Sequence, residues 1–183
     1  MPLPVIIGWR GSMRRKTVGF TIVELLIVVV VIAILASITI VAFNGVQGRA
    51  YDTSVRSDLL QIGKKAEMYK IDNGAYPMGD AQLATIGFKI DKQAYGHIWA
   101  LTAGVGMYNL VTCWPPASNP NLFAVIASSK SGRSFIYTQG GVKEATIPDE
   151  SSSSTICAGA AGYTNGGRDF FYQNGVWKTY AGS

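Results

Sequence analysis

Hydrophobic and polar positions divide the chain into three textures. From Leu25 to Gly48 there are 24 residues without one Asp, Glu, Lys, Arg or His. The centre of this run, Leu25 to Ile40, is interrupted only by Ser37 and Thr39. It lacks the polar stripe of a one-faced amphipathic helix. As a helix the run is roughly 36 Å long, enough to cross a hydrocarbon core of roughly 30 Å. A domain of this size could hardly surround so long an apolar rod, so a membrane span is the better reading than a buried core helix. A cleaved secretory signal, with Ala33 to Ser37 imitating its cleavage site, is the alternative, but the apolar run continues past that point.

The second texture is periodic. Val55, Leu59, Ile62, Ala66 and Tyr69 recur at spacings of 4, 3, 4 and 3, one stripe of an α-helix. Arg49, Asp52, Arg56, Asp58, Lys64, Lys65, Glu67 and Lys70 are assigned to the solvated side, with Asp52 and Arg56 as a favourable i,i+4 pair. Asn73-Gly74 stops the helix, and Pro77 lies just beyond. One helix of roughly 80 Å is predicted from Phe20 to about Asp72, its stripe docked on a sheet.

After Pro77 the texture changes again. Residues 78–105 read as a loop with a short helix near 80–86. Strands are predicted at Tyr108–Trp114, Leu122–Ser128 and Ser134–Gln139, rich in Val, Ile, Phe and Tyr. Ser129-Lys130-Ser131-Gly132-Arg133 fits a hairpin turn between the last two. Phe170–Gln173 and Val176–Tyr180 around Asn174-Gly175 give the clearest hairpin. Residues 148–169, rich in Ser, Gly and Ala, read as a long loop. There is no internal repeat.

Composition bounds the picture without redrawing it. At 183 residues, 48% hydrophobic and 15% charged, the chain is no disordered polymer and suits one domain with a core. A net charge of +5 and a pI of about 9.2 invite a nucleic-acid reading. The charge is localised, however. Arg10, Arg14, Arg15 and Lys16 precede Gly19, and from Phe20 onward 12 Lys and Arg face all 11 Asp and Glu. Basic residues ahead of the span keep the N-terminus cytoplasmic and send the remainder across.

Between the basic segment and the apolar run stands Gly19-Phe20-Thr21-Ile22-Val23-Glu24-Leu25-Leu26. With Arg14 to Val18 before it, this stretch resembles the class III signal sequence of bacterial type IV pilins and pseudopilins. The resemblance implies cleavage between Gly19 and Phe20 by a prepilin peptidase, N-methylation of Phe20 by the same enzyme, and an assembly role for Glu24. Glycine suits the cut because it leaves an adaptable, unobstructed backbone. A carboxylate beside an apolar span is costly, and a neighbouring subunit's amine is a natural partner for it. Tyr69–Pro77 also resembles the helix end of that family, so the likeness covers roughly residues 13–77. The chain departs from many pilins in lacking a proline in mid-span, and Gly45 and Gly48 are the weak points of the helix.

The implied fold is α+β: a long N-terminal helix, half membrane-spanning and half amphipathic, packed on a small antiparallel sheet. The implied divisions are a leader (1–19), a span or filament core (20–48), an amphipathic continuation (49–73) and an extracytoplasmic head (74–183). Met13 would give a compact basic leader, with residues 1–12 a mis-assigned start. The implied partners are the peptidase, identical or related subunits, and an inner-membrane platform with its ATPase. The implied function is a surface filament for adhesion, motility or DNA uptake. The alternatives are a pseudopilin of a secretion or competence system and a non-polymerising, membrane-anchored binding domain.

Cys113 and Cys157 are the only cysteines. In an extracytoplasmic head a disulfide is the favoured reading. Enzyme chemistry, cofactor and metal are not expected: His97 is the only histidine and has no metal spacing. Gly104-Val105-Gly106 lacks the context of a phosphate loop. Asp149-Glu150 lacks the patterned oxygens of an EF-hand. Lys130 and Arg133 near Phe135 and Tyr137, and Lys178 beside Trp177 and Tyr180, are the candidates for a weak nucleic-acid contact.

Overall fold

A computed structural model describes residues 19–97, 108–114, 121–147, 153–162, 168–173, 175–179 and 181. The chain divides into two compact units, Met1–Ala42 and Phe43–Ser183. Helix α1 spans Ile22–Asn73.

In the first unit, the large apolar side chains from Ile22 to Ile40 are all about half or more exposed. The two polar side chains of this stretch turn back on the helix. Ser37 donates to the carbonyl of Ile34 at 2.7 Å, and Thr39 to that of Leu35 at 3.0 Å. The rod therefore presents hydrocarbon with its hydroxyl donors already satisfied, as a bilayer or a helix bundle requires.

In the second unit, α1 ends where the sequence places the stop. Gly74 adopts φ 79°, and its N–H donates to the carbonyl of Lys70 at 2.8 Å. Val55, Leu59, Ile62 and Ala66 are fully buried, and Tyr69 is half-buried. Burying each of the larger apolar side chains contributes about 1.5–3 kcal/mol. Helix α2 (Gly79–Ile86) falls on the expected short helix, and a 3-10 turn follows at Lys92–Ala94.

Five antiparallel strands form the sheet: β1 (Leu110–Cys113), β2 (Ala124–Ser128), β3 (Ser134–Thr138), β4 (Gly141–Ala145) and β5 (Arg168–Phe170), in the order β4-β3-β2-β1-β5. The β2–β3 turn closes as expected, with Ser129 N–H donating to Arg133 O at 2.8 Å and Gly132 at φ 88°. Alternation sends Leu110, Val125, Ala127, Phe135 and Tyr137 to the face packed against α1. It sends Val111, Cys113, Ala124, Ile126 and Ile136 to the other face.

That second face corrects the sequence reading of 148–169 as a loop. Helix α3 (Ser153–Ala161) covers it through Ile156 and Cys157. Small residues give α3 little apolar periodicity, so its helicity depends on docking. Strand β4 was also absent from the expectation: Lys143 and Glu144 are exposed at the sheet edge, where apolar alternation is not required. Phe170–Gln173 does not form one hairpin arm. Phe170 pairs with Val111 in the large sheet, whereas β6 (Tyr172–Gln173) pairs with β7 (Val176–Trp177) in a separate ribbon. Asn174, Tyr180 and the loop residues 98–105 lie outside the described residues.

Candidate functional site

The residues marked by the sequence for processing and assembly sit where the chain enters α1. Gly19 and Phe20 precede the helix and belong to no regular element. Phe20 is 83% exposed, and among the described residues no atom crowds the space beside Gly19. A peptide bond that is exposed and outside any helix is one a protease can engage.

Thr21 and Glu24 then form a capping box. Glu24 Oε2 accepts from the Thr21 N–H at 2.8 Å and from the Thr21 hydroxyl at 2.7 Å. The Glu24 N–H donates back to Thr21 Oγ1 at 3.2 Å. Two N–H groups at the head of the helix are satisfied reciprocally, and the carboxylate sits where the helix dipole favours negative charge. This internal partner adds to the neighbouring subunit's amine expected for Glu24. The Thr-x-x-Glu spacing ahead of an apolar run was the signal for it. Arg14, Arg15, Lys16 and the rest of the basic segment lie outside the described residues.

A second set of polar contacts fixes the amphipathic half of α1 to the sheet, and it corrects the assignment of that helix's charges to solvent. Asp52 is buried: its carboxylate accepts from the Ser131 hydroxyl and pairs with Arg133 at 3.2 Å. Arg133 also holds Glu144 of β4, which keeps the Glu144 carboxyl below its ordinary value. The expected partner of Asp52, Arg56, instead lies 5.3 Å from the ring centre of Phe135. Asp58 accepts from the Asp91 N–H at 2.9 Å and the Tyr95 hydroxyl at 3.1 Å. Burial nevertheless pushes Asp58 above its ordinary value, because desolvation outweighs those bonds. Tyr137 donates to Glu67, and burial, followed by that bond, raises its phenol. Lys65 caps the end of α2 by donating to the carbonyls of Ile86 and Gly87.

Cys113 of β1 and Cys157 of α3 are disulfide-bonded, with Cα atoms 5.5 Å apart. The bridge closes the second core layer. Among the described residues, several members of the basic–aromatic clusters are buried or already paired. Phe135 is fully buried, Tyr137 is 4% exposed, Arg133 is committed to two carboxylates, and Lys178 pairs with Asp80 at 2.6 Å. His97 is exposed, and among the described residues no three of His, Cys, Asp and Glu converge as metal ligands would. Asp149-Glu150 and Gly104–Gly106 lie outside the described residues.

A long N-terminal helix that opens on a capped glutamate, and whose second half packs on a small antiparallel sheet, is a pilin-like arrangement. Residues 14–40 match the family model described as the prokaryotic N-terminal methylation motif. The chain is 44% identical over 75 residues to the type IV wide pilus major component PilA4 of Thermus thermophilus, covering 41% of this chain and 57% of that protein. It is 31% identical over 74 residues to the type II secretion system core protein G of Dickeya chrysanthemi, covering 40% and 48%. With the same-named protein of Vibrio cholerae it shares 35% over 72 residues, covering 39% and 49%. The chain thus spans about half the length of the curated relatives it matches.

Proposed function

We propose that the chain is a structural subunit of a type IV pilin-like filament. The observation that carries this reading is Glu24, held by Thr21 at the head of an exposed apolar rod within the matched methylation motif. Residues 1–19 act as a cytoplasmic leader, 20–48 as anchor and then filament core, 49–73 as the helix that carries the head, and 74–183 as the extracytoplasmic head. A prepilin peptidase hydrolyses the Gly19–Phe20 bond and methylates the new amine. Glu24 in one subunit then receives the cationic Phe20 amine of a neighbour, exchanging part of its bonding to Thr21 for an ion pair strengthened by exclusion of water. An inner-membrane platform and its ATPase draw subunits from the bilayer. In the polymer the apolar rods bundle, exchanging lipid contacts for one another's hydrocarbon.

The names of the relatives favour a second form of the same chemistry. Two of those compared above are core proteins of type II secretion, so a short pseudopilus is the companion reading. Electron microscopy of filaments sheared from cells, with mass identification of the subunit, separates them. Surface filaments containing this chain with an N-terminal methyl-Phe20 are the expected result. Chain retained in the envelope together with loss of protein secretion on gene deletion would assign the pseudopilus. Glu24→Ala should abolish assembly in either case. Assembly that survives it would remove Glu24 from the assembly step, whereas wild-type chain that stays unpolymerised in the membrane would overturn the polymer reading in favour of a membrane-anchored binding domain.

A further inference from the structure

We infer that the second unit carries a binding pocket for the phosphate of an anionic lipid headgroup, at the level where α1 leaves the bilayer. An open pocket of about 450 Å³ lies between α1 and the β2–β3 turn, within the range of ligand-sized cavities. Its helical wall carries Gly45, Gln47, Gly48 and Arg49, and its opposite wall carries Lys130 and Ser131. The inference rests on the proposed membrane span of residues 25–48.

Three observations select the occupant. The first is height. The uncharged run ends at Gly48 and is about 6 Å longer than a hydrocarbon core, so Gly45 to Arg49 fall at headgroup depth. The second is charge. Asp52 and Arg133, which also line the pocket, are committed to each other and to Ser131 and Glu144. Arg49 and Lys130 are both exposed, on opposite walls, and leave the pocket net positive. The third is shape. An added Cβ would meet nothing within 4 Å at Gly45 and only Ser131 Cβ at 3.6 Å at Gly48. Two glycines on one helix face thus clear room beside the backbone. Lys130 lies 5.7 Å from the ring centre of Tyr51, which sets its stem along the helix. Arginine and lysine on two walls, with open space between them, suit a phosphodiester.

The test uses the full chain reconstituted in phosphatidylcholine vesicles with and without phosphatidylglycerol, followed by native mass spectrometry of the lipids that remain bound. Wild-type chain should retain phosphatidylglycerol over phosphatidylcholine. The double variant Arg49→Gln/Lys130→Gln should lose most of that preference, by roughly 25-fold if each cation contributes about fivefold. Both side chains are exposed, and an unchanged circular dichroism melt verifies the fold. The basic leader is common to both proteins, so only the difference between them counts. Equal retention by the two would overturn the pocket. Displacement of the lipid by inorganic phosphate would reassign the pocket to a soluble anion and overturn the lipid assignment. Unchanged lipid retention with lost filament assembly would make it a contact between subunits, with the same effect. Failure of wild-type chain to enter phosphatidylcholine vesicles at all would instead refute the membrane span on which the inference rests.

Discussion

Gly63 has helix on both sides and faces the sheet. A Cβ built there would lie 2.0–2.3 Å from three ring carbons of Tyr137, against a contact distance of about 3.5–4.0 Å between carbons. For Gly63→Ala to fit, the ring must retreat by about 1.5 Å. It has little freedom to do so. Tyr137 sits within β3 between Val125 and Val142 on the neighbouring strands, and its hydroxyl is bonded to Glu67. Overpacking of this kind costs about 1–3 kcal/mol, and losing a hydrogen bond to a charged group costs about 1.5–3 kcal/mol more. Alanine returns about 1 kcal/mol of helix propensity. The net expectation is destabilisation by about 1.5–5 kcal/mol, or a melting temperature lower by about 5–15 °C for a unit of this size. The assay is thermal unfolding of the full chain in a mild detergent, followed by near-ultraviolet circular dichroism. In a Tyr137→Val background the ring is gone, and the same glycine substitution should become neutral or stabilising by up to about 1 kcal/mol. An unchanged or raised melting temperature for Gly63→Ala in the wild-type background would refute the packing argument.

The disulfide and two carboxylates give further tests. Replacing Cys113 and Cys157 by serine reopens a loop with a sequence separation of 44, with an expected loss of about 4 kcal/mol on the chain-entropy account. Alkylation of the unreduced, denatured chain should label neither thiol. Glu144 lies below its ordinary value of 4.5 because of Arg133, so its contribution is present above that pH and lost as pH falls through the lower folded value. Glu144→Gln should therefore flatten the acid limb of a stability–pH curve, and an unchanged limb would remove the pair from the account. Asp58 has the opposite sign. Its folded value is raised above 3.8 by burial, so stability falls as pH rises from there through the raised value. Asp58→Asn should remove that decline between acid and neutral pH, and a variant that keeps it would refute the assignment.

Much of the methylation motif was legible because its signals are local. Gly19, Phe20 and Glu24 are close in the chain, and a run of 24 uncharged residues requires no knowledge of distant partners. The capping box was equally local: three-residue spacing suffices to define it. The head was legible only in part. Its central strands are apolar and β-branched, so β1, β2 and β3 were found close to their bounds. Strand β4 has one face in solvent and α3 is built of small residues, and neither pattern signals itself before docking.

The sequence by itself determined an apolar rod, a motif at its head and an amphipathic stripe, because short-range periodicity and composition dictate all three. Only the tertiary structure decided which polar residues of α1 turn inward. Asp52 lies three residues before Val55, on the buried stripe, and its polarity alone suggested solvent. Its partners Ser131 and Arg133 are 79 and 81 residues away, and burial of a carboxylate becomes tolerable only when such partners arrive. The role of Gly63 is likewise set by a ring from another element. The pocket of Arg49 and Lys130 comes from a helix and a turn that the fold alone brings together.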